Sequence, residues 1–285
     1  MIIFSILWLI PVLWMIDTAI KPTPEIFTTP PKWLPEKFTL QHIKDVINNW
    51  PFGTWLLNSI IVSGLSTLFS LFLSILAAYS FSRIEWKGRD VIFIILLASM
   101  LIPWQINAVP LYFLMNNLNL LNKLIAVILP ITAMPISVFL LRQFFIGLPS
   151  ELEDAARIDG CNRMDILFRI IVPISGPALA ALAIYMFIFS WNEYFWSLIA
   201  LQRIGKFTLP IGLNMLQGAY DIEYGLLMAA AFSFYPCNDS FCIIKKTNYK
   251  RNELVRSYQI SIREKYLIII YINSFYKNYI GRCYK

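Results

Sequence analysis

Four carboxylates crowd nine residues of this chain. Glu151, Glu153, Asp154 and Asp159 open the stretch ELEDAARIDGCNRMDILFRIIVP, residues 151–173. A second polar group, Trp191-Asn192-Glu193, sits among the aromatics Phe189, Tyr194 and Phe195. Aromatic rings can stack on sugar faces, and Asn and Glu can hydrogen-bond hydroxyls. The same residues also describe an aromatic belt at a membrane boundary. Neither group has the partners that catalysis needs. There is no Gly-rich phosphate loop, no nucleophile–His pair and no Cys/His cluster at metal spacing. The carboxylates therefore read as a docking element, and any energy has to arrive through a partner.

The acidic stretch must be positioned by helices. Ser150 followed by Glu153 has the spacing of a capping box. Glu151, Glu153 and Asp154 fall in the first turn, where the helix dipole favours negative charge. Gly160 fits the left-handed position that ends a helix. Residues 151–159 would form a rod of roughly 13 Å at 1.5 Å per residue. Leu152, Ala155, Ala156 and Asp159 would share one face, which the two alanines keep thin enough for close approach to another surface. A capped linker helix is the plain alternative.

The remaining elements are apolar. The chain is 58% hydrophobic, with a mean hydropathy of +0.62. Charge-free runs cover 54–82, 91–122, 124–141 and 170–192, each able to hold the roughly 20 residues that cross a 30 Å hydrocarbon core. Residues 2–20 are a fifth candidate; with no basic start and no small-residue cleavage site, they read as a retained helix and not a signal peptide. Prolines 11, 103, 110, 130 and 135 predict kinks. The proline-rich stretch 21–53 reads as an outer loop, and its His42, the single histidine of the chain, as a surface residue.

Net charge is +7, but it is local: residues 1–231 carry 14 basic and 14 acidic side chains, and 232–285 carry 10 and 3. The basicity therefore says nothing of nucleic acid, and membrane lipid is the expected surroundings. Basic residues are tied at seven on each face of the predicted topology, so charge alone does not orient the chain.

Asp154-Ala155-Ala156, Asp159-Gly160, nine residues and then Ile170-x-Val172-Pro173 resembles the EAA signature of ABC importer permeases. Asp154 stands where the family usually has Glu, and Val172 where it usually has Leu. The resemblance implies that this segment is a cytoplasmic coupling helix docked in a cleft of an ATPase subunit, with Glu153, Asp154, Ala155, Ala156, Asp159, Gly160, Ile170 and Pro173 as its coupling residues. Ile102-Pro103-x-Gln105, Pro110-Leu111-Tyr112 and Trp191-Asn192 are similar to stretches of carbohydrate-uptake permeases of the maltose type. Ser197 departs from the Pro usual there. Thr208–Leu213 resembles the family's external loop, which meets a sugar-binding protein. Trp191, Asn192, Glu193, Asn214 and Gly218 are the candidate contacts for substrate or binding protein.

The implied protein is all-α: a polytopic membrane bundle of five spans and an incomplete sixth, in a prokaryotic inner (plasma) membrane. Its implied partners are a second permease subunit, two cytoplasmic ATPase subunits that bind ATP and Mg, and an extracytoplasmic sugar-binding protein. It needs no cofactor of its own and is not an enzyme. A permease for glycerol phosphate or amino acids is the alternative. The charge-free spans argue against a secondary transporter or channel.

Composition changes at Phe232. Residues 232–285 hold no alanine and eight of the 14 tyrosines, and the apolar start at 225–231 is not continued. We read 1–231 as the permease domain and 232–285 as an out-of-frame tail, which leaves a truncated, non-functional permease as a further alternative.

Overall fold

The computed structural model describes residues 2–28, 33, 35–217 and 223–232. All of them fall in the unit Met1–Pro236. The expected tail, apart from Phe232, lies outside the described residues, as does Gly218. Every regular element among the described residues is helical.

α1 is Ile2–Ile20 and α2 is Gln41–Asn49. α3, Phe52–Arg83, is the longest helix at 32 residues. It contains neither proline nor charge before its last residue, so nothing stops it until the chain leaves the apolar layer. At 1.5 Å per residue it is about 48 Å long, more than the hydrocarbon core requires. α4 (Arg89–Ser99) and α5 (Ala108–Asn117) follow. The pair is bent by 92°, counting the turn from Trp104 with α5. Pro103 lies in the break, has no N–H to donate and restricts the residue before it. α6 (Ile125–Thr132) and α7 (Pro135–Ile146) together make a 22-residue apolar span.

α8 is the acidic helix Glu151–Ile158. The arm α9, Arg163–Ile174, then meets α10, Gly176–Trp191, at 79°. α11 (Phe195–Ala200), α12 (Leu209–Met215) and the helical residues 224–232 (α13) complete the set.

Two spans are therefore continuous, two are broken, and α1 is a shorter apolar helix. Of the expected proline kinks, Pro103 lies at the 92° break and Pro135 at the start of α7, and Pro11 and Pro130 lie within helices. Pro110 sits in the first turn of α5, where its missing N–H costs nothing. The bend at Ser175 was not anticipated: residues 170–192 read as one span, yet the helix turns by 79° there and a new helix starts at Gly176.

α3 is the hub, packed by α6, α7 and α10. Its buried side is lined by Ser59, Ser63, Ser66, Ser70, Ser74 and Ala78, small residues that let helix backbones approach in lipid, where packing rather than water expulsion holds helices together.

The two ends of α3 are polar and distinct. At its start, Trp55 Nε1 donates to the carbonyl of Ile204 at 2.9 Å, Asn58 to that of Phe207 at 2.9 Å, and Ser59 Oγ accepts from the Leu209 N–H at 2.7 Å. At its end, Arg83 meets α7 and α8. His42 corrects the surface expectation. It is buried, its Nε2 lies 2.9 Å from the Lys21 carbonyl oxygen, and Gly225 abuts its ring so closely that a Cβ would stand 2.3 Å from Nε2. The histidine fastens α2 between the end of α1 and α13.

Candidate functional site

The acidic helix is bounded as expected at one end and differently at the other. Ser150 has helical φ/ψ and its side chain caps nothing. The predicted capping box is absent because Glu153 is drawn elsewhere. Its carboxylate turns under the helix to Arg83, with Nε and Oε1 3.1 Å apart. The C-terminus is closed by a complete Schellman arrangement. Gly160 takes φ +82°, its N–H donates to the Arg157 carbonyl at 3.0 Å, and the Cys161 N–H donates to that of Ala156 at 2.9 Å. Asp159 is the cap residue just before it, so the helix is one residue shorter than the predicted rod.

The side-chain cap stands at the next helix. Asn162 Oδ1 accepts from the N–H groups of Met164 and Asp165, both at 2.9 Å. Residues Ile166–Ile171 wind as a π-helix, directly before Pro173, which has no N–H to continue an α-helical ladder. Ile170 is half-buried in this wider turn, and Pro173 lies exposed before the bend at Ser175.

The predicted thin face is also revised. Ala156 turns inward beside Glu153, while Leu152, Ala155 and Asp159 face out and are joined by Ile158, 86% exposed. Asp154, also exposed, pairs with Arg157 at 3.4 Å, and Arg157 reaches Glu153 at 3.5 Å. The outer face is thus apolar at its centre and acidic at its margins.

Arg83 is the contact at this helix that sequence reasoning passed over. Its terminal nitrogen donates to the carbonyls of Phe145 and of Leu148, the latter at 2.6 Å. These are carbonyls at and just past the C-terminal end of α7, where the regular helical ladder has ended and the Leu148 N–H turns back to the Phe145 carbonyl at 3.1 Å. The available signal was a lone charge ending a long charge-free run. Arg142 does similar work beside it: Nε donates to the Phe81 carbonyl at 3.1 Å, and the guanidinium lies 3.9 Å over the Phe93 ring.

The second candidate group divides. Trp191 is buried and stacks on Phe187 at 5.6 Å. Glu193 is buried and caps α11, accepting from the Trp196 N–H at 2.7 Å, the Ser197 N–H at 2.9 Å and the Ser197 hydroxyl at 2.6 Å. Both are buried and held by contacts within their own chain. Asn192 remains exposed, its amide donating to the Ile188 carbonyl at 2.8 Å. Asn214 is exposed on α12. The segment that resembled an external loop is a short helix pinned to α3: Leu209, Ile211 and Gly212 are buried, and Gly212 lies flat against the Trp55 ring.

Comparison with known proteins bears on the family and the fold. Residues 70–251 match the family described as "Binding-protein-dependent transport system inner membrane component". The "Arabinooligosaccharides transport system permease protein AraQ" of Halalkalibacterium halodurans is 43% identical over 180 residues, 63% of this chain; the chain spans 64% of that relative's length, just under two thirds. The "Diacetylchitobiose uptake system permease protein DasC" of Streptomyces coelicolor is 31% identical over 226 residues, 79% of this chain and 82% of the relative. Among solved structures, a bacterial ABC transporter involved in alginate import superposes with a TM-score of 0.77 at 23% identity, covering 86% of this chain and 92% of that one, and so shares the fold. Helical spans around a central helix, an acidic helix projecting from one end and a family match over most of the chain lead to one assignment. This chain belongs to the inner-membrane components of binding-protein-dependent transport systems, the multi-pass permease subunits of ABC importers, which are transport components and not enzymes.

Proposed function

We propose that this permease forms half of the membrane path for a sugar or oligosaccharide, with a second permease subunit, two ATPase subunits and an extracytoplasmic binding protein. The observation that carries the reading is the outer face of α8. Ile158 and Leu152 are bare at a polar end of the bundle, beside exposed Asp154 and Asp159. Apolar side chains set among charges call for a protein cover, and a cleft in an ATPase subunit supplies one. The coupling residues are then Asp154, Ala155 and Asp159 on the contact face, with Glu153, Ala156, Gly160, Ile170 and Pro173 holding that face in place.

The sugar reading is supported by the names of the relatives, which differ in the saccharide they specify, and by Asn192 at the end of α10. Tyr185 and Ile188 precede Asn192 on the same exposed side of that helix. ATP-dependent uptake of labelled oligosaccharides into vesicles carrying the full complex tests it. Uptake is expected to require the binding protein and to fall with Asn192→Ala. Uptake of glycerol phosphate or an amino acid in place of a saccharide overturns the substrate class. Failure of α8 to cross-link to an ATPase subunit overturns the coupling role.

The change of composition at Phe232 favours a second reading, that 232–285 is translated out of frame and the permease lacks its last span. The family match reaches residue 251, which weighs against it. The nucleotide sequence across codons 228–236 decides: an intact frame in independent isolates rejects the slip.

A further inference from the structure

α8 is attached to the membrane body in two ways. Along the chain, residues 147–150 join it to α7, and the Gly160 turn and α9 join it to α10, the latter link jointed once at Gly160 and again at the 79° bend. The second attachment is Glu153 to Arg83, the last residue of α3, and beyond it there is no joint. α3 continues unbroken for 32 residues to the end where Trp55, Asn58 and Ser59 grip residues 204–209.

This second attachment is built to hold. The side chains of Arg83 and Glu153 are 12% and 5% exposed. Arg83 Nε and Glu153 Oε1 have no hydrogen-bond partner and face each other as an ion pair at 3.1 Å, while the other carboxylate oxygen lies 3.5 Å from the more exposed Arg157. Parting them strands charge where little water reaches, unlike the exposed pairs around them. The same guanidinium also holds the carbonyls of Phe145 and Leu148. A planar fork serves a carboxylate and two carbonyls at once; a lysine ammonium is a single point of charge. Ala156, buried on the same side, lets α8 seat closely.

We propose that Arg83 is a positioning residue that locks α8 to α3, so that a displacement of α8 is delivered to the central helix and not absorbed at the Gly160 and Ser175 joints. The inference rests on the coupling role proposed above for α8.

Spin labels test it, in a chain whose four cysteines are replaced by serine, assembled in nanodiscs with its partner permease and ATPase subunits. Labels go at Glu151 on α8 and Leu73 on α3, both exposed, and in a separate sample at Glu151 and on the partner permease. On trapping the ATP state, the wild-type distance from residue 151 to the partner permease is expected to change while the 151–73 distance stays fixed. In Glu153→Gln the 151–73 distance is expected to change with ATP as well. Arg83→Lys, which keeps the charge and loses the fork, is the second variant and should do the same.

A merely stabilising pair would lower the yield of complex and leave 151–73 independent of ATP in both variants, which overturns the proposal. A wild-type 151–73 distance that shifts with ATP overturns it without recourse to any variant. If no ATPase subunit co-purifies, or the wild-type distance from residue 151 to the partner permease ignores ATP, the coupling role of α8 fails first and the lock falls with it.

Discussion

Glu193 illustrates how a residue fit for recognition can be committed to structure. All three hydrogen bonds of its carboxylate go to Trp196 and Ser197 of its own chain, at a helix start where free N–H groups and the dipole both favour a carboxylate. Glu193→Ala removes a cap and should lower stability by about 1–2 kcal/mol. The expected outcome is a lower melting temperature of the purified complex with an unchanged solute KM, read by thermal unfolding in detergent and by uptake. Gly212 is constrained by space alone. An added Cβ would stand 2.1 Å from the Trp55 ring, so Gly212→Ala must push the indole off the Ile204 carbonyl. Overpacking of this kind costs about 1–3 kcal/mol, and the loss should appear as reduced thermal stability and faster proteolysis of the segment around residues 201–217.

Among the elements, α8 makes a prediction of its own because its two faces do different jobs. Gly160 adopts φ +82°, and a Cβ there would meet nothing within 4 Å, so the demand is conformational and not steric. Gly160→Pro cannot take a positive φ and loses the N–H given to Arg157. It should re-aim α9 against α8. Ala155→Trp leaves the buried side untouched and thickens the outer one. Both variants are expected to insert normally, yet to lose binding-protein-stimulated ATP hydrolysis in proteoliposomes. Wild-type stimulation in either would remove α8 from the coupling path. The inward turn of Glu153 also explains the missing capping box: one carboxylate cannot reach back to its own helix start and down to Arg83, and the buried partner wins because separation there costs more than a solvated cap returns.

For the molecule as a whole, the bundle carries its polar contacts at opposite ends of α3. Arg83, Arg142 and Glu153 gather at one end. Trp55, Asn58 and Asn122 engage residues 200–207 at the other. Single cysteines at Ile158 and Gln202, in a cysteine-free chain, should therefore react with an impermeant maleimide from opposite sides of the membrane, Ile158 only in inverted vesicles and Gln202 only in spheroplasts. Reaction of both from one side would refute the topology.

Much of this was legible in the residues. Long charge-free runs mark spans because lipid admits backbone only when its own hydrogen bonds are closed. An acidic start and a following glycine mark α8 because helix ends have fixed electrical and conformational needs. Pairings distant in sequence were not legible. That Arg83 meets Glu153, that Trp55 lies on Gly212, that His42 is covered by Gly225 and that Glu193 is spent on a cap all depend on which helices become neighbours, and no local spacing encodes that. The 79° bend belongs with them. Thus the sequence by itself determined an all-helical membrane chain with one projecting acidic helix, since those features follow from each residue's preference for lipid, water or a helix end. Tertiary structure alone decided which side chains face a partner and which are consumed in holding the bundle, since burial and hydrogen-bond satisfaction are properties of packed helices and not of a run of residues.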